Sequence, residues 1–84
     1  MNRDLFNNAD LGDVCRGSMA IISTIQEMKP HTQMASMAAT FLFLCERWGM
    51  PAHEAFTAVK NMINGADGKR VEFLAVQSYM EHEL

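Results

Sequence analysis

The segment MASMAATFLFLCERW, residues 34 to 48, is the most apolar part of the chain, and its reading decides the fold. At about 100° per residue, a helix here places Met34, Met37, Ala38, Phe41, Leu44, Cys45 and Trp48 along one broad stripe, with Leu42 and Ala35 widening one flank. That stripe reads as a core face. Phe43 points the other way, among Ser36, Ala39, Thr40, Glu46 and Arg47. Either a central helix touches neighbours on two sides, or Phe43 anchors a second chain. The run without charge is shorter than the roughly 20 residues needed to cross a bilayer, so a buried helix of a soluble domain is expected.

Working outward, this helix has neighbours on both sides. Upstream, Asp10 is the expected N-cap of a first helix, with Asp13 in its first turn, where free N–H groups favour negative charge. Leu11, Val14, Cys15, Ser18, Ile22 and Ile25 share one face, with Ile21 and Met28 at its margin. Asp13, Arg16, Ala20, Thr24 and Glu27 occupy the other. Lys29 and Pro30 should end that helix near Met28, and His31 or Thr32 should cap the next, giving an antiparallel hairpin. Residues 1 to 9 read as a flexible or docking N-terminal arm carrying Leu5 and Phe6.

Downstream, Gly49 is the expected C′ residue and Pro51 the first position of a third helix. Its inner stripe is Ala52, Ala55, Phe56, Val59, Met62 and Ile63; its outer face is His53, Thr57, Lys60, Asn61 and Asn64. Gly65 closes it, and Asp67 is the expected cap of a final helix over residues 69 to 84. That last segment has two apolar faces, Phe73, Val76, Met80 and Leu84 on one, and Val71, Leu74 and Ala75 on the other. A strand over Val71 to Val76 is the lesser alternative. The expected fold is therefore all-α: a small four-helix bundle, made of a helical hairpin plus two shorter helices, in a single domain over residues 1 to 84.

Composition sharpens the question of what covers the apolar faces. A domain of 84 residues buries only about 60 to 65% of the surface its unfolded chain exposes, yet 49% of these residues are hydrophobic. Pairing into a homo-oligomer, most simply a dimer, relieves that mismatch. The expected interface residues, for a partner or a second copy, are Ala39, Phe43, Val71, Leu74 and Ala75. Eight methionines fall mostly on the apolar stripes, as in cores that need adaptable filling or in apolar ligand pockets.

The net charge of −3, with seven scattered Lys and Arg, lacks the clustered cations of a nucleic-acid or membrane surface. No metal site or cofactor is expected, since His31, His53 and His82 fall in separate elements without ligand spacing. No nucleophile with a base, phosphate loop or paired carboxylates commits the chain to catalysis. Cys15 and Cys45 sit on apolar stripes of different helices and read as buried thiols. The polar N-terminus does not read as a secretory leader, so the reducing cytosol is the expected compartment.

One junction does resemble a known motif. Leu44, Cys45 and Trp48, then Gly49 and Met50 in a short turn, resemble a helix-turn-helix over residues 41 to 59, about a fifth of the chain. The second helix departs from it, with Ala55 and Ala58 where bulky anchors belong. The resemblance implies a DNA-contact face of His53, Thr57, Lys60 and Asn61. The favoured expectation remains a non-enzymatic accessory adaptor or inhibitor, of the kind phages and mobile elements encode, acting on another protein. A DNA-binding regulator and a small apolar-ligand carrier are the alternatives.

Overall fold

The structure is a computed structural model and describes all residues 1–84. Five helices occur in the order α1 (Arg3–Asn7), α2 (Leu11–Ile25), α3 (Pro30–Trp48), α4 (Ala52–Ile63) and α5 (Val71–Glu83). Between α4 and α5 lies a two-stranded antiparallel ribbon, β1 (Asn64–Gly65) and β2 (Gly68–Lys69), in which Asn64 pairs with Lys69 and Gly65 with Gly68. No helix is long and apolar enough to cross a membrane.

Local chemistry accounts for most of the boundaries. The N-terminal arm is a helix because the Asn2 side chain accepts from the amides of Asp4 and Leu5 at 2.9 and 3.1 Å, which satisfies two donors of its first turn. Asp10 caps α2 in the same way, accepting from the Asp13 amide at 2.9 Å. That helix stops at Ile25, three residues before Met28, because the extended backbone that Pro30 imposes on Lys29 is prepared by a turn over Gln26 to Met28. Pro30 itself opens α3, so neither His31 nor Thr32 is its cap. Gln33 reaches back to donate to the Ile25 carbonyl at 3.0 Å, a second bond to an acceptor that also takes the Met28 amide at the end of α2.

The α3 to α4 junction is a Schellman closure. Gly49 takes the left-handed conformation at φ 69°, and the Met50 amide donates to the Cys45 carbonyl at 2.9 Å. The matching hydrophobic contact is present, since Cys45, Met50 and Ala55 form a small buried cluster. At the other end of α4 the chain turns through Ala66 and Asp67, with Gly68 at φ 108°. Asp67 is therefore a turn residue and not a cap; Arg70 precedes α5 without a side-chain cap bond. Residues 71 to 76 are helical, which disposes of the strand alternative.

The packing differs from a hairpin-based bundle. α2 lies chiefly against α5, and α3 against α4, while α2 and α3 do not pack along their lengths. Cys15, Met62 and Phe73 form a second buried cluster, to which α2, α4 and α5 each contribute one residue. Ser23 and Tyr79 share a hydroxyl hydrogen bond of 2.5 Å across the same pair of helices. Phe6 packs on both clusters and joins the two halves, so α1 is docked. The whole is a slab of 34 × 31 × 18 Å. With helices about 10 Å across, a slab this thin has few positions enclosed on all sides, and only seven residues are buried.

The expected core stripe of residues 34 to 48 is accordingly not a core. Cys45 is buried and Met37 and Phe41 are half-buried, but Met34, Ala38, Leu42, Leu44 and Trp48 are exposed. The stripe is wider than its one close neighbour, α4, can cover. Phe56 is likewise exposed instead of facing inward, because Ala52, Ala55, Val59 and Met62 already occupy the side of α4 that meets both clusters. On α5, Phe73, Val76 and Tyr79 turn inward while Met80 and Leu84 are exposed.

Candidate functional site

Three surfaces and one groove gather the side chains with unspent binding capacity. The first is the outer face of α3, where Met34, Ala35, Ala38, Ala39, Leu42 and Phe43 are all exposed. Ala39 and Phe43, two of the five residues expected at an interface, lie here, beside four others whose periodicity places them in the interior or at its margin. The signal for those four was the width of the apolar sector. Taken together these six span about half the helix circumference, more than one neighbouring helix covers.

The second surface is the start of α5, where Val71 is 73% and Leu74 49% exposed, with Ala75 exposed beside them. Opposite them Phe73 is held in the core, and the Cys15 thiol donates to the Glu72 carbonyl at 3.4 Å. The inner side of α5 thus fixes which side faces out. No element brings the α5 group and the α3 group into close packing.

The third surface is the outer face of α4. His53, Thr57, Lys60 and Asn61 are all exposed there, the positions implied by the helix-turn-helix resemblance. The Thr57 hydroxyl donates to the His53 carbonyl at 3.0 Å, and the Lys60 ammonium lies 5.5 Å from the centre of the Phe56 ring. In the first turn, Glu54 is paired with Arg3 at 2.5 Å, a contact that raises the Arg3 pKa through the hydrogen bond and the charge of the carboxylate. This exposed pair orients α1 over the start of α4 and contributes little to stability. Its carboxylate also sits where a recognition helix would meet phosphate. Arg47 is turned onto the Trp48 ring at 4.5 Å.

The groove lies between α2 and α3 and is open to solvent, about 360 Å³, with Ile21, Ile25, Met28 and Met37 as its apolar lining. Thr24, Ser36 and Thr40 add hydroxyl groups at its edge. It exists because Pro30 sends α3 away from α2. As for chemistry, the three histidines lie on different helices, and His82 uses Nδ1 on the Ser78 carbonyl at 2.8 Å. Cys15 and Cys45 lie in separate clusters and are both free thiols. Burial pushes the Cys15 thiol up from its ordinary pKa, with Glu72 adding to the shift and Arg16 opposing it. A thiol held protonated is a poor nucleophile.

Comparison with family models, with curated proteins and with solved structures found no match to this chain. Its functional reading therefore rests on these surfaces alone.

Proposed function

We propose that this chain is a protein-interaction module, an accessory adaptor or inhibitor that performs no chemical step and acts in the cytosol by docking apolar helix faces on another protein. One observation carries the reading. The chain exposes 6214 Å², whereas a monomer of 9.4 kDa typically exposes about 5,000 Å². The excess, on the order of 1,200 Å², is what a standard interface removes from one partner, about 800 Å², and somewhat more. Large apolar side chains that water solvates poorly are part of the exposed surface, with Met34, Phe43 and Val71 each more than two-thirds exposed.

The reading is tested by capture from a host lysate with the full chain and with a Val71→Ser, Leu74→Ser double variant. A partner held by the first and lost from the second, at unchanged far-ultraviolet helicity, supports it. Equal retention by both, or loss of helicity in the variant, overturns the assignment of the α5 face.

A second reading has its own support. The Cys45, Met50 and Ala55 cluster around left-handed Gly49 is the packing a helix-turn-helix needs. Against it stand a single cation on the outer face of α4, already set over Phe56, and a carboxylate in the first turn. If α4 enters a groove of DNA, retention on duplex falls steeply with salt and Lys60→Ala lowers the salt slope by about 1. Retention that ignores salt removes this reading.

A further inference from the structure

The uncovered face of α3 consists of two parallel rows at four-residue spacing, Met34, Ala38 and Leu42 in one and Ala35, Ala39 and Phe43 in the other. Met34 is 74%, Phe43 69% and Leu42 55% exposed, and no charged residue lies between His31 and Glu46. We propose that this face pairs with the same face of a second copy of the chain, antiparallel, about a twofold axis passing between Ala38 and Ala39. The inference rests on the interaction-module reading and names the occupant of one of its surfaces.

The order of large and small side chains along the helix argues for a second copy. About that axis Met34 opposes Phe43, Ala35 opposes Leu42, and Ala38 opposes Ala39 of the other chain. Every bulky aliphatic residue meets a small one, and the thioether meets a ring, a contact sulfur favours. The face is thus complementary to its own antiparallel copy, the small Ala35 receiving Leu42 and the alanines meeting at the axis, and self-complementarity is what an isologous interface requires.

Helix geometry agrees with this pattern. Rows at four-residue spacing packed into one another cross at about −50°, so the two axes are closest at the centre and part toward the ends. Ala38 and Ala39 stand at the centre and Met34, Leu42 and Phe43 toward the ends, which fills that wedge-shaped gap.

Charge and area also agree. The axis that pairs Met34 with Phe43 sets His31 opposite Glu46 at each rim, so an imidazole N–H can donate to a carboxylate there and the two glutamates are kept apart. The surface that the whole chain exposes beyond that of a typical monomer of its mass exceeds the roughly 800 Å² per partner that a standard interface removes.

Sedimentation equilibrium of the full chain across the micromolar range is expected to give a mass near twice 9.4 kDa. Ala39→Glu puts a carboxylate from each copy at the axis and is expected to weaken pairing on the order of 100-fold. Glutamate at an exposed helix position leaves the fold intact. Val71→Glu, on α5, is expected to leave the mass unchanged.

Should Ala39→Glu fail to fold, mixing Met34→Cys chains with Phe43→Cys chains decides the matter. Mild oxidation should link unlike chains, because like positions are offset by about 13 Å along the helix, beyond the reach of a disulfide. A monomeric mass, undiminished pairing of a folded Ala39→Glu chain, or preferential links between like chains overturns the proposal. A monomer that still captures a partner through Val71 and Leu74 overturns the pairing and leaves the module reading standing; a dimer that captures nothing does the reverse.

Discussion

At the scale of single residues, Phe6 has the largest consequence for its size. It touches both buried clusters, so the stretch that reads in sequence as a flexible or docking arm is docked. Truncating it removes a ring that both clusters share, leaving α4 as their remaining link, so Phe6→Ala is expected to cost about 2 kcal/mol in urea unfolding, less than for a fully enclosed ring. Cys15 offers a test by pH. Its pKa is raised in the folded chain by burial, so the unfolded chain loses the proton first. The stability it contributes is then fully present below the ordinary thiol pKa and declines as pH rises through the gap between the unfolded and folded pKa values. Urea midpoints measured on either side of that window should fall for the natural chain, and the fall should be smaller in Cys15→Ala. A native thiol that titrates at its ordinary pKa contradicts this. Residue chemistry of this local kind was legible beforehand: Asp10 as a cap, Gly49 as a left-handed terminator and both cysteines on apolar stripes follow from side-chain reach, backbone sterics and periodicity.

At the scale of elements, existence was legible and partnership was not. Periodicity located α2, α3, α4 and α5, but it cannot state how many neighbours a helix has. Residues 34 to 48 carry the most apolar side chains, yet α4 is the element that gives residues to both clusters, Ala55 to one and Met62 to the other. Its twelve residues present a narrow stripe that two neighbours fill, whereas α3 presents a sector that its neighbours cover only in part. Apolar composition is thus a poor guide to burial when the chain is too short to wrap its own helices. The turn that feeds α4 is correspondingly sensitive. Gly49→Ala meets no side chain, since no heavy atom lies within 4 Å of the added methyl, so its expected cost of about 1 kcal/mol comes from the left-handed backbone alone. A thermal unfolding series over Gly49→Ala and Gly17→Ala separates the two cases. Gly17 sits in a helix with equally open space, and alanine there is expected to stabilise by up to about 1 kcal/mol.

At the scale of the whole molecule, the radius of gyration of 13.3 Å exceeds the roughly 12 Å of a compact domain of this length, in keeping with the thin slab and its surplus surface. A chain so open has two ways to be stable: it tolerates a small core and unfolds easily, or it borrows a neighbour. The two differ in their response to concentration. If α3 is covered by a second copy, folding is linked to association, and dilution favours the unfolded chains by mass action. With the usual unfolding enthalpy per residue, counted over both chains, a tenfold rise in protein should lift the thermal midpoint by about 4 °C. Ala39→Glu should abolish that dependence and lower the midpoint toward that of the isolated chain. It should also expose the amides of α3 between Met34 and Phe43 to faster hydrogen exchange than those of α2, which keeps its packing on α5. A midpoint that stays constant over a hundredfold range of concentration, with α3 as well protected as α2, means that the slab stands on its own seven buried residues. The excess surface would then be free for a different protein.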